Sequence, residues 1–132
     1  MTSEFSVTTR QRSQMVDITA QVQAEVTRQN CQQGLVTVFV PHTTAAVTIN
    51  EGADPDVCSD ILGGLAGLVP LRSPEYRHSE GNSDAHIKAT LVGASVQVPV
   101  AGGRLKLGTW QRIFLCEFDG PRSRTVLVHV GS

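Results

Sequence analysis

The sequence predicts an α+β fold, a mostly antiparallel β-sheet sandwich carrying two helices. Three observations lead there. Short runs rich in Val, Ile, Thr and Phe recur along the 132 residues and are set off by Gly or Pro. Two stretches between them carry apolar residues at helical rather than alternating spacing. No linker, repeat or low-complexity segment divides the chain, so residues 1–132 are expected to form one domain.

Taken in order, Phe5 to Thr9 and Met15 to Ile18 are two short β-favouring runs around a polar turn, which suits a first hairpin. From Thr19 to about Asn30 the spacing changes. Val22 and Val26 lie four apart with Ala20 and Ala24 beside them, Thr19 is placed to cap the helix, and Gly34 follows its end. The run Leu35 to Val40 reads as a buried strand ended by Pro41, and Ala45 to Ile49 as the next strand. Asp54-Pro55 is the clearest helix start, a capping carboxylate before a proline at the first helical position. Val57, Ile61, Leu65 and Leu68 continue it and predict a buried face. Gly63-Gly64 within it costs roughly 1 kcal/mol per glycine relative to alanine, which close approach of another backbone, or simple tolerance, would explain. Beyond a loop bracketed by Pro70 and Pro74, strands are predicted at Ile87 to Val92, Ser95 to Val100, Leu105 to Leu107, Arg112 to Phe118 and Thr125 to Val130. Gly102-Gly103 supplies a hairpin turn and Gly120-Pro121 separates the last two strands.

Eleven basic and twelve acidic residues balance to a formal charge of -1, which argues against a dedicated nucleic-acid or membrane-surface partner. The apolar runs fall short of the roughly 20 residues that span a bilayer, and MTSEFSVTTR lacks the apolar core of a signal peptide. Cys31, Cys58 and Cys116 form neither an even disulfide set nor a C-x-x-C pair, so a reducing, cytoplasmic location is expected.

Polar residues that carry chemistry fall in four stretches. His42, His78 and His86 sit at strand ends or in a Gly/Ser/Asn-rich loop, where functional side chains converge and neutral imidazole binds metal. Loop histidines satisfied by backbone or solvent remain the alternative. His129 alternates with Val128 and Val130 and is expected to face solvent. Glu51, beside Asn50 after an apolar strand, is a candidate general base, a partner for a histidine, or a turn residue. Asp84 and Glu80 either orient an imidazole or belong to a solvated loop. Arg77 and Arg122 are candidates for phosphate recognition. Trp110 and Gln111 after Gly108 would wall a pocket, although a lone tryptophan is more often core. Neither Cys58 nor Cys116 has a neighbouring base, and no P-loop, G-x-G-x-x-G or G-x-S-x-G pattern occurs.

In order, P41-H42-T43-T44-A45, N50-E51-G52-A53-D54-P55-D56, Y76-R77-H78 with A85-H86-I87-K88-A89, G108-T109-W110-Q111 and E117-F118-D119-G120-P121-R122 resemble the YjbQ family, small proteins often described as secondary thiamine-phosphate synthases. The likeness runs from Met15 to the C-terminus. It implies a YjbQ-like α+β fold, a homotrimer with a pocket near the subunit interface, and His42, His78 and His86 gathered around a divalent metal ion, zinc first, with magnesium or manganese as alternatives. The leading functional expectation is a metal-assisted enzyme acting on a small phosphorylated substrate, with Glu51 and Asn50 as candidate catalytic residues and Arg77, Trp110, Gln111 and Arg122 as candidate substrate contacts. Two other functions stay open on the residues alone: a metal-dependent hydrolase, and a non-catalytic metal- or ligand-binding trimer.

Overall fold

Eleven elements follow one another in the computed structural model, which describes residues 1–131. They are β1 (Thr2–Thr8), β2 (Gln14–Asp17), α1 (Thr19–Arg28), β3 (Gln33–Phe39), β4 (Ala45–Glu51), α2 (Pro55–Leu68), α3 (Ser83–Val92), β5 (Ser95–Ala101), β6 (Arg104–Leu105), β7 (Gln111–Glu117) and β8 (Ser123–Gly131). The strands form a five-stranded sheet in the order β1-β8-β3-β5-β6 and a three-stranded sheet in the order β2-β7-β4. Every pairing is antiparallel.

The alternation of the strands decides how the layers stack. Val36 and Val38 of β3, Val98 and Val100 of β5, and Val126 and Val128 of β8 point to one side of the large sheet. They meet Ala45 and Val47 of β4 and Ile113 and Leu115 of β7, with Val22 and Val26 of α1 closing the same core. The opposite side of the small sheet presents Ala46, Cys116 and Phe118, which pack with Met15, Leu62 and Leu65 and with Ala85, Ala89 and Val92. The small sheet is therefore covered on both faces, by the large sheet and by α2 with α3. That explains why Ile113–Glu117 is buried at every position rather than at alternate ones.

The expected fold class holds, with four corrections. A third helix replaces the strand predicted at Ile87 to Val92, because α3 occupies Ser83–Val92. The expected first hairpin does not form: β1 pairs with β8, and β2 pairs with β7 in the other sheet. Thr19 is not a side-chain cap. Its amide donates to Asp17 Oδ1 at 3.0 Å, and its hydroxyl accepts from the Ile113 amide at 2.8 Å, tying α1 to β7. In α2 the expected cap is present, with Asp54 Oδ1 accepting from the Asp56 amide at 2.9 Å, but no residue of the helix is fully buried. Among the described residues, a side chain added at Gly63 or Gly64 would meet nothing within 4 Å, so no described backbone approaches there. The Gly102-Gly103 hairpin is as expected, with φ of 59° and 74°. Among the described residues no helix is long and apolar enough to cross a membrane.

Candidate functional site

His42 stands two residues beyond Val40, where the β3 ladder has ended. The register that sets Phe39 against Leu127 would bring position 41 to Thr125, but proline interrupts the strand. The imidazole takes the missing place, its Nε2 accepting the Thr125 amide at 2.9 Å. Behind it lies a buried ion pair. The Arg124 guanidinium bonds both carboxylate oxygens of Glu117 and reaches the Thr44 hydroxyl at 2.8 Å and the Thr44 carbonyl at 3.2 Å. Glu117 also accepts from the Thr9 hydroxyl at 2.8 Å and the Asp119 amide at 3.0 Å. Burial alone would raise the Glu117 carboxyl, but these donors more than offset it and hold it below the ordinary carboxylate value. Burial lowers the pKa of His42, and the nearby Arg124 charge lowers it further, against the opposing pull of Glu117. The ring is neutral near pH 7.

A cavity of about 450 Å³ opens on this histidine, and its far wall is α3. His42, Thr43, Ala45, His86, Ala89 and Thr90 line it, with Gly93 and Ala94 at the end of the helix. His86 is held by the way α3 is seated. The Asp84 carboxylate, fully buried, receives both ends of the Arg12 guanidinium at 2.9 and 3.0 Å and Lys88 Nζ at 3.4 Å. Those donors outweigh burial and keep its pKa below the ordinary value. Asp84 therefore neither orients an imidazole nor sits in a solvated loop; it anchors the helix. Asn82 Nδ2 adds a bond to Asp119 Oδ2 at 2.8 Å.

His78 approaches from the loop on the other side of His86. The two rings meet edge to face, with centroids 5.3 Å apart. A second cavity, of about 390 Å³, is lined by this pair with Arg77, Tyr76, Ser83 and Ile87. Glu80 Oε2 lies 3.5 Å from His78 Nε2, on an exposed side chain. Among the described residues, no three His, Cys, Asp or Glu side chains converge closely enough to hold a metal ion. His86 thus stands between two neighbours, His42 across one cavity and His78 in edge-to-face contact beside the other.

The remaining expected residues divide. Arg122 lies on the His42 side, but its guanidinium is engaged with Asp119, at 2.9 Å to the carbonyl and 3.2 Å to Oδ2. Asn50, Glu51, Trp110 and Gln111 lie at the other end of the small sheet, because Glu51 pairs with Gln111 whereas Ala45 pairs with Glu117. Six steps along β4 separate these ends by about 20 Å. Asn50 Oδ1 folds back onto the Glu51 amide at 2.8 Å, and Gln111 Oε1 accepts from the Gly108 amide at 2.9 Å, so both shape turns. Trp110 is not core, being 63% exposed. His129 faces solvent as expected, bonded to the Thr2 hydroxyl at 2.7 Å. Cys31, Cys58 and Cys116 are all free thiols, and burial pushes Cys116 up to about 12.

Sequence reading missed the Glu117–Arg124 pair and the Thr125 amide. A signal was present: Glu117 interrupts an otherwise apolar strand, and charge at such a position is buried only when paired.

Residues 3–132 match the family described as UPF0047 protein YjbQ-like. The UPF0047 protein YugU of Bacillus subtilis is 46% identical over 128 residues, 97% of each chain. A UPF0047 protein of Archaeoglobus fulgidus is 49% identical over 127 residues, covering 95% of this chain and 97% of its own. Among solved structures, an uncharacterised YjbQ/UPF0047 family protein from Clostridium acetobutylicum superposes with a TM-score of 0.95 at 50% identity, covering 98% of this chain and 99% of that one. A hypothetical protein from Aeropyrum pernix gives 0.94 at 42% identity, covering 100% and 98%. With the likeness extending over sequence, fold and chain length together, this chain belongs to the YjbQ family of UPF0047 proteins.

Proposed function

We propose that the protein is a divalent-metal-dependent enzyme acting on a small phosphorylated substrate, with formation of thiamine phosphate as the candidate reaction. The edge-to-face pair of His78 and His86 carries this reading. Two imidazoles on one tetrahedral zinc ion would have ring centres about 5 Å apart, given zinc–nitrogen distances near 2.0–2.1 Å. The observed 5.3 Å fits that requirement. One chain contributes the pair, and solvent, substrate or a second copy completes the shell. When bound, the ion would supply Lewis-acid stabilisation to phosphate oxygens.

In the candidate reaction a thiazole phosphate joins a pyrimidine carrying a diphosphate, and pyrophosphate departs. Arg77, on the cavity shared with the histidine pair, supplies a planar cation to the departing charge. Arg122, already held by Asp119, acts from the His42 side. We further propose a homotrimer. The 20 Å-scale separation between the histidines and the end bearing Asn50, Glu51, Trp110 and Gln111 supports a head-to-tail ring, in which that end of one copy closes the histidine end of the next. A reducing, cytoplasmic setting accords with three free thiols.

Elemental analysis of wild type beside a His78→Ala, His86→Ala double variant tests the reading. We expect on the order of one divalent ion per chain, lost in a variant whose circular dichroism is unchanged, and thiamine-phosphate formation lost with it. A wild-type protein that takes up neither zinc nor manganese would sink the metal-dependent reading. Metal uptake with turnover only of phosphoesters would replace the synthase with a hydrolase.

A further inference from the structure

The resemblance places three histidines on one metal, but the geometry of His42 argues for a different division of labour. A backbone amide can only donate, so the Thr125 N–H at 2.9 Å requires a lone pair on His42 Nε2. A neutral imidazole then carries its proton on Nδ1. A metal ion cannot use Nε2, whose lone pair is taken. It cannot use Nδ1 without moving the proton to Nε2, where it would face the amide proton head on.

We propose that His42 is a fixed hydrogen-bond donor, presenting Nδ1–H to a phosphate oxygen of the ligand in the cavity it shares with His86, while His78 and His86 alone hold the metal. The Glu117–Arg124 pair makes the arrangement rigid. Arg124 precedes Thr125 directly and holds Thr44, two residues from His42, by its hydroxyl and carbonyl. Both partners of the Nε2 bond are thereby fixed from one buried guanidinium, itself 3% exposed. Among the described residues Nδ1 has no hydrogen-bond partner, so it is the ring's free polar atom on a side chain that lines the cavity. The phosphate ligand is taken from the proposed function and rests on it; the tautomer rests on the hydrogen bond alone.

The test uses the full chain labelled with ¹⁵N and two-bond ring correlation spectra at neutral pH without metal. His42 should show a lone pair on Nε2 and the proton on Nδ1; a proton on Nε2 overturns the proposal. Zinc is then added. The ring nitrogens of His78 and His86 should shift to metal-bound positions and those of His42 should not, and a zinc-bound His42 nitrogen overturns the proposal. If zinc moves none of the three, the metal reading fails, and phosphate binding is compared on the metal-free wild type and His42→Ala, where equal affinity rejects the donor role and weaker binding by the variant upholds it. Binding of inorganic phosphate to the zinc-loaded protein completes the test. His42→Ala should weaken it roughly tenfold, the scale of one hydrogen bond to a charged group. His42→Gln, which can accept from Thr125 and still donate, should restore most of it with zinc content unchanged. Equal affinity in all three proteins means that Nδ1–H does not meet the anion, and rejects the donor role.

Discussion

At the scale of single residues, two buried carboxylates set the conditions under which the site exists. Glu117 is fully buried and satisfied by Arg124, Thr9 and the Asp119 amide, and Asp84 by Arg12 and Lys88. Both have folded-state pKa values below their unfolded ones. Their contribution to stability is therefore complete above the ordinary carboxylate range and is lost as pH falls through the lowered values. Unfolding free energies from urea titrations should hold steady above about pH 7, ease as pH falls through the ordinary histidine range because the His42 pKa is also lowered, and decline further below about pH 5 as the two carboxylates protonate. In Glu117→Gln the plateau should drop by about 3–5 kcal/mol, the cost of leaving a buried charge without its partner, and the acid decline should flatten. A midpoint unchanged at neutral pH would show that Arg124 finds another partner. Because Arg124 also holds the strand that meets His42, the same substitution should disturb the imidazole.

At the scale of elements, α3 shows where the sequence stops being legible. Its inward positions include Asp84, Ala85 and Lys88, so an ion pair and a methyl group occupy the buried side. The apolar residues Ile87 and Leu91 are exposed. With polarity inverted in this way the helical period vanishes, and Ile87 to Val92 looks like a strand. The β runs and the Asp54-Pro55 start were readable because local chemistry decides them, as the capping bond at Asp54 shows. The hairpin at the N-terminus was not, since nothing local reveals that β1 and β2 enter different sheets. The site was half legible. Proline at position 41 put His42 at a strand end, but its Thr125 partner depends on a register set 83 residues away. In α2, Gly63 and Gly64 have open space where a Cβ would go. Alanine at either position should stabilise the isolated chain by up to ~1 kcal/mol, read from denaturant unfolding of dilute protein. Destabilisation that appears only as protein concentration is raised would mean that another copy packs on the bare backbone.

Across the whole molecule, the candidate residues divide between the histidine end and the Trp110 end, about 20 Å apart. If copies close one another's sites, Trp110→Ala should lower kcat/KM and loosen the trimer in sedimentation velocity while leaving metal content intact. Unchanged turnover in a variant still trimeric would assign the tryptophan no part in the site. The order of strands also governs how the molecule is made. β8 lies between β1 and β3, so the first strand has no neighbour in its sheet until Ser123–Gly131 has been synthesised. A nascent chain on the ribosome can form its helices and the β3–β5 and β4–β7 ladders, but it must carry β1 as an open edge until translation reaches β8, and His42 receives its amide partner only then.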